Sequence, residues 1–553
     1  MEKSENVLLY LEKITKEYGD KNALGIKSNL GWRELTFKGL SILSQRLASY
    51  LIEKGIDKGD KITILSESKP EWGAALFASV LAGATLIPLD IKLTAYELNS
   101  ILSSCMPKIL MCSNAYLEKA KQLKEEITSI EEIIVIDEGC TDKTCQCLYD
   151  MPDARNLKWR HRNPQQSAFI IYTSGTTGSP KGVEITYKNS MAQVKAISQC
   201  FNLSVNDRLL SILPMNHLFE LSVGFLTFLS MGTAIYYSKS LKPKDLFPIL
   251  LEKEITFMVV VPAFLKLLKT NIETEINKLG FFQKAMFNFL FRIAKFIPSV
   301  RMRKYLFPSI HKKFGGKFKG CISGGAPLDL EIAKFLETIG IKIYEGYGLS
   351  EASPVVSMST DKASKLGSVG RALPNVEVKI DEETGELLVR GDNVMKGYYN
   401  QPELTAQIID EDGWLHSGDI AKIDKDGFIF ITGRIKNMIV LNGGKKVFPE
   451  EVEAVLEQSP MFQEVCVVGT KRVGGQKDGT EDVSAVIVPK QELIDSIPDD
   501  AELLKKVKAE VKELGNKLSV FKRPTNIIIS RELLPRTATS KIKRKEVKQL
   551  AER

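Results

Sequence analysis

Apolar positions recur every three to four residues through "FKGLSILSQRLASYLIEKG" from Phe37, the period of a helix with one buried face. On either side stand short unbroken apolar runs such as "KITIL" and "ATLIPLD", which read as buried strands. Helix and buried strand taking turns over the first 170 or so residues predict an α/β fold with a mostly parallel sheet. The alternation continues in "RLLSILPM", "EITFMVVVP" and "GKFKGCISGG", each a strand ending in a turn. Ligands of open α/β sheets gather at such strand ends.

From about Ser364 the pattern changes to short alternating strands with glycine turns, as in "NVEVKIDEETGELLVRGD" and "GDIAKIDKDGFIFITGR". This predicts a small antiparallel sheet or barrel. After Arg434 comes a block with its own helix, "PEEVEAVLEQS", its own strands, "EVCVVGT" and "DVSAVIVP", and a basic tail. It reads as a small α+β domain joined by a short hinge. The longest apolar stretch, "LSVGFLTFLSMGTAIYY" from Leu221, is broken by serine, glycine and threonine. It falls short of the ~20 residues that span a bilayer, and so reads as buried core.

Composition narrows this picture. A chain of 553 residues exceeds the roughly 250 to 300 that one core accommodates, so at least two domains are expected. Hydrophobic content of 44% and charged content of 26% describe a globular protein. A net charge of +8 is a mild bias towards anions on so large a surface and does not call for nucleic acid. Eight cysteines without a secretory leader ahead of them suggest reduced thiols and a cytoplasmic protein. Cys140, Cys145 and Cys147 lie close together, but with only four histidines in the chain a zinc site there is not expected.

Candidate chemistry begins with "YTSGTTGSPKG", residues 172 to 182. An apolar strand runs into a loop whose glycines admit close backbone approach, whose hydroxyls donate hydrogen bonds, and whose Lys181 adds positive charge. Together these suit a polyphosphate. A Walker loop ends in Gly-Lys-Ser/Thr, whereas here Pro180 precedes Lys181 and Gly182 follows it. Taken alone, the segment also reads as a flexible surface turn.

Further segments match one pattern. "ISGGAPL" from Ile322, "YEGYGLSEASP" from Tyr344, "GWLHSGD" from Gly413, "GRIKNMIVLNGGKKVFPEEVE" from Gly433 and "LPRTATSKIKR" from Leu534 follow the loop in order. With them the chain resembles the adenylate-forming (AMP-binding) superfamily over nearly its whole length, and is most like long-chain fatty acyl-CoA synthetases. The resemblance implies a large N-terminal domain over 1–434, built of two parallel-sheet α/β layers plus a small β-barrel at about 365–434. A small mobile α+β C-terminal domain over 435–553 follows, with its hinge near Lys436.

Roles carried over by position follow from the resemblance. Thr173, Ser174, Gly175, Thr176, Thr177, Gly178 and Lys181 would wrap the β- and γ-phosphates of ATP. Gly325, Glu345, Gly346, Tyr347 and Ser350 would line adenine and the α-phosphate. Glu351 is the expected magnesium ligand, with Thr173 as a hydroxyl ligand. Asp419 would accept hydrogen bonds from both ribose hydroxyls, since a carboxylate offers acceptors only, and Arg434 would stand beside it. Lys541 is the expected adenylation catalyst, although "TSKIKRKEVK" by itself reads as a solvated charge run. Gly443 and Gly444 would face the thiol of coenzyme A, with Val440 and Lys445 at variable hinge positions.

A carboxylate is already an ionised nucleophile, so making its adenylate needs alignment and charge neutralisation more than a general base. The expected activity is ATP- and Mg-dependent activation of a medium- to long-chain fatty acid and its transfer to coenzyme A. Transfer to acyl carrier protein, and a lipid-binding paralogue without catalysis, are the alternatives. His217 in "LPMNHLFE" stands either at the acyl channel mouth or as a packed histidine. The apolar run from Phe219 to Leu229 reads either as tunnel lining or as core. The aromatic and basic segment from Phe281 to Lys319 reads either as a helix on an anionic membrane surface or as a hairpin with a solvated basic face.

Overall fold

The computed structural model describes residues 7–29, 31–154, 163–173, 180–441, 445–471, 481–536 and 542–552. Two compact units emerge. The first comprises residues up to Val378 together with Val389–Leu415 and Lys425–Ile429, and the second comprises Lys379–Leu388, His416–Asp424 and the chain from Phe430 onward.

The first unit holds two large sheets. One has nine strands, with a parallel interior made of Ala234–Tyr237, Arg208–Ser211, Phe257–Val260, Gly320–Ser323 and Lys342–Gly348 side by side. The expected strands in "RLLSILPM", "EITFMVVVP" and "GKFKGCISGG" are three of these. The other sheet has eight strands. In it Lys61–Leu65 lies between Thr85–Pro88 and Ile109–Cys112, all parallel, and Ser167–Thr173 pairs parallel to Thr85–Pro88. Strands buried on both faces carry unbroken apolar runs because helices cover both sides of a parallel sheet.

The helix Pro70–Ala82 shows how the two sheets become one body. It connects the parallel neighbours Lys61–Leu65 and Thr85–Pro88, and every one of its residues is buried. A helix apolar all round belongs inside a protein. Its Gly73 sits so close to Phe225 and to Leu24 of the nine-stranded sheet that a Cβ would fall 2.7 Å from the Phe225 ring. The stretch from Leu221 is core as expected: Glu220–Thr227 winds as a wide π-type helix, buried throughout.

Strands Val376–Ile380, Glu386–Gly391, Leu415–Ile423 and Ile429–Arg434 form a four-stranded sheet in that order, where the change of pattern after Ser364 predicts a small sheet. In the second unit, Phe462–Lys471, Glu481–Pro489 and Asn526–Ile529 make a three-stranded sheet. Helices Pro449–Leu456 and Asp500–Gly515 contribute Val452, Leu456, Leu503 and Val507 to its core. This is the α+β block expected after Arg434. No helix among the described residues is long and apolar enough to cross a membrane.

Candidate active site

The phosphate-loop candidate is the connection of a hairpin. Strands Ser167–Thr173 and Lys181–Thr186 pair antiparallel, with Thr173 opposite Lys181 and Tyr172 opposite Gly182. The two ends of the loop are therefore fixed side by side. Ser174, Gly175, Thr176, Thr177 and Gly178 lie outside the described residues. A third strand, Gly397–Tyr398, adds to the hairpin edge with Tyr398 opposite Val183. Lys181 is two residues from Val183 and shares its face. Its Nζ accordingly stands 5.2 Å from the centre of the Tyr398 ring.

The same Tyr398 reaches Glu351. Its hydroxyl donates to Glu351 Oε1 at 2.8 Å, and burial together with the Glu351 charge pushes the phenol up, so that it remains a neutral donor. Glu351 stands in a single helical turn, Ser350–Ala352, tied down by main-chain contacts. The Met395 amide donates to the Glu351 carbonyl at 2.8 Å. The buried Gln193 accepts from the Val355 amide at 3.1 Å and donates to the Val355 carbonyl at 2.9 Å. Gln193 belongs to helix Tyr187–Ser198, which follows the hairpin directly and begins with a Thr186–Asn189 capping box. Asn189 also donates to the carbonyls of Asp392 and Val394. One helix thus orients the segments on either side of Glu351 and Tyr398.

These donors suit a magnesium ion. A hard cation takes oxygen ligands, and Tyr398 engages only one carboxylate oxygen of Glu351 while fixing the plane of the group. Thr173 offers a hydroxyl at the hairpin end, where Oγ1 makes a long contact of 3.5 Å to the Lys181 carbonyl.

The strand ends of the nine-stranded sheet supply the next group of candidates. Glu345 lies opposite Ser323 in parallel register, and burial, aided by Glu337, raises its carboxyl to about 7 against a smaller opposing effect of Lys342. Gly346 and Tyr347 pair with Met358 and Ser357, which places them just before the Ser350 turn. Gly325 has φ +83°, a left-handed conformation that favours glycine. At Gly324 a Cβ would come within 3.0 Å of the Phe219 ring, so an apolar side chain borders this glycine turn.

His217 follows strand Arg208–Ser211, and its Nε2 lies 4.0 Å from Oδ2 of Asp90, two residues past strand Thr85–Pro88. The Met215 amide donates to Ser68 Oγ at 3.0 Å, and that hydroxyl donates to the Leu213 carbonyl at 3.3 Å. The strand ends of the two large sheets therefore meet at His217. Beyond Phe219, the run to Leu229 packs in the main core.

In the second unit Asp419 is buried and paired with Arg434. Nε donates to Oδ1 at 2.6 Å and Nη2 to Oδ2 at 3.4 Å. Glu386, which motif reading passes over, holds the preceding turn: it accepts from the Gly418 amide at 2.7 Å and contacts His416 Nδ1 at 2.9 Å. Lys436 lies in the helical turn Ile435–Asn437. Val440 pairs with Lys446 across a short hairpin, and Lys445 Nζ stands 4.9 Å from the centre of the Phe521 ring. Gly443, Gly444 and Lys541 lie outside the described residues.

The model of the AMP-binding enzyme family matches residues 11–399, and that of the AMP-binding enzyme C-terminal domain matches 436–552. The chain belongs to the AMP-binding enzyme family. Among curated relatives of this AMP-binding enzyme, long-chain-fatty-acid–CoA ligase FadD15 of Mycobacterium bovis is 29% identical over 464 residues, covering 79% of this chain and 76% of the relative. The 4-coumarate–CoA ligase 1 of Arabidopsis thaliana is 28% identical over 540 residues, covering 93% and 87%. In fold it is similar to the o-succinylbenzoate CoA synthetase MenE of Bacillus subtilis in complex with the acyl-adenylate intermediate. That match has a TM-score of 0.76 and 24% identity, covering 98% of this chain and 97% of that one.

Proposed function

We propose that this AMP-binding enzyme is an acid-thiol ligase that activates a fatty acid as its acyl-adenylate with ATP and passes the acyl group to coenzyme A, releasing AMP and pyrophosphate. The observation that carries the reading is the meeting of Lys181 and Glu351 at Tyr398. A cation from the loop hairpin and a carboxylate from the strand-end turn share one aromatic side chain, which supports the reading that both act on one polyphosphate. Relatives that are CoA ligases for different acids support the reaction class. The fatty-acid reading draws on FadD15 and on the apolar Phe219 beside the glycine turn at Gly324 and Gly325.

In this reading Thr173, residues 174–178 and Lys181 hold the β- and γ-phosphates. Glu351 and Thr173 hold magnesium, which supplies neutralising charge to the leaving pyrophosphate. Gly325, Glu345, Gly346, Tyr347 and Ser350 border adenine and the α-phosphate, and Asp419, oriented by Arg434 and Glu386, takes the ribose hydroxyls. Lys541 neutralises charge as the acyl carboxylate attacks. Residues 1–434 and 435–553 are the two working domains, Lys436 is the hinge, and Gly443 and Gly444 receive the thiol.

Carboxylate-dependent exchange of labelled pyrophosphate into ATP tests the proposal. Exchange that rises with fatty acid supports it. No exchange with any carboxylate from acetate to oleate defeats it. Thioester formation from acyl carrier protein in place of coenzyme A would reassign the acceptor.

A further inference from the structure

The chain from Ile276 to Leu328 carries eleven Lys and Arg and no Asp or Glu. Its main element, helix Phe281–Ala294, is apolar on two opposite sides. Phe287, Leu290 and Phe291 pack against the core and Ala294 is buried within it. The Phe291 ring centre lies 5.6 Å from that of Phe335. That contact accounts for one face only.

The outward face is also aromatic. Phe282, Met286, Phe289, Ile293 and Phe296 follow one another at spacings of 4, 3, 4 and 3, which aligns them in one stripe along the helix and the two residues that follow it. Phe282 is 85% exposed, Phe289 59% and Phe296 87%. Scattered exposed apolar residues are ordinary, but a contiguous stripe marks an interaction site. By helical periodicity Lys284, Arg292 and Lys295 fall together on one shoulder between the two apolar faces. Arg292 and Lys295 have no acidic partner among the described residues.

We propose that this stripe and its basic shoulder form a docking surface for an anionic lipid bilayer. The aromatic rings would enter the headgroup and upper acyl region, while the cations on the shoulder remain among the phosphates. Charge decides against a second copy of the chain as occupant. Pairing two such helices would bring like shoulders together within a segment that offers no carboxylate to compensate. Phenylalanines protruding beside lysine and arginine match a helix lying in a membrane interface, which carries Phe or Leu on its buried face and Lys or Arg on its polar one. None of the stripe or shoulder residues belongs to the candidate site, so the inference is independent of the proposed ligase reaction.

The test is co-sedimentation of the full chain with phosphatidylcholine vesicles, neutral or containing one third phosphatidylglycerol. The wild type is compared with a Phe282→Ser/Phe289→Ser/Phe296→Ser variant and an Arg292→Glu/Lys295→Glu variant. The expected result is binding to the anionic vesicles that weakens with salt and drops about tenfold or more in each variant. An unchanged melting temperature would accompany it, because all five side chains are exposed. Equal binding of wild type and variants, or no preference of the wild type for anionic vesicles, overturns the proposal. A wild-type dimer in sedimentation velocity that the triple variant dissolves overturns it in favour of a second copy.

Discussion

The hydroxyl of Tyr398 donates to Glu351 Oε1 at 2.8 Å while the Nζ of Lys181 stands 5.2 Å from the centre of the same ring. Tyr398 thereby orients the proposed magnesium ligand and flanks the proposed phosphate lysine. Removing only the hydroxyl leaves the ring contact and frees the carboxylate. Tyr398→Phe is expected to lower the pyrophosphate-exchange rate and the apparent affinity for magnesium by about 10- to 100-fold, the usual cost of losing a group that orients a metal ligand. Titrating magnesium for the two proteins checks this; an unchanged magnesium requirement would detach Glu351 from the metal.

Asp419 is buried with Arg434 on both of its oxygens, and a carboxylate has lone pairs to spare for two further donors. Asp419→Asn removes two acceptor sites and the charge opposite Arg434. The KM for ATP is expected to rise roughly tenfold to hundredfold, consistent with about 1.5–3 kcal/mol for hydrogen bonds to a charged group. The decisive comparison is 2′-deoxy-ATP: wild type should discriminate against it, and the variant should discriminate much less. Equal discrimination would remove Asp419 from the ribose.

Lys541→Ala is expected to abolish adenylate formation from ATP and acid while retaining most thioester formation from synthetic acyl-AMP. Neutralising charge at the α-phosphate matters only while the adenylate is being made. The two half-reactions are assayed separately, and equal loss of both would contradict a hinge at Lys436 that separates them.

Glu220 is fully buried, and burial raises its carboxyl from 4.5 to about 8, although Ser211 donates to it and opposes the shift. Between those two values the folded chain holds a proton that the unfolded chain has released. Stability contributed by this group is therefore present below pH 4.5 and lost as pH rises to about 8. The loss is on the order of 5 kcal/mol, at about 1.4 kcal/mol per unit between the two values. Glu220→Gln should flatten that slope and raise the melting temperature above pH 8, as differential scanning fluorimetry over a pH series would show.

The order of motifs, the strand leading into "YTSGTTGSPKG" and the change of texture near Ser364 are all legible in the sequence. Each is a local matter of periodicity and turn chemistry, and each has its counterpart in the sheets. Two features were not legible. The segment from Phe281 reads as either a membrane-surface helix or a hairpin with a solvated basic face. In the structure the helix is packed on one side and bears an exposed aromatic stripe on the other, and composition alone does not separate these faces.

The residues that organise the candidate site escaped for a related reason. Tyr398 meets Glu351 across 47 positions, and Gln193 meets Val355 across 162. Nothing in "KGYYN" or in the helix from Tyr187 marks either residue, because a hydrogen bond between distant segments leaves no period in the chain. The sequence by itself determined which residue types stand in which motif, since strands, turns and glycine loops are encoded over a few neighbours. Only the tertiary structure decided that Tyr398 would stand between Lys181 and Glu351. That placement depends on the strand Gly397–Tyr398 pairing with Lys181–Thr186, a register set by packing of the whole first unit.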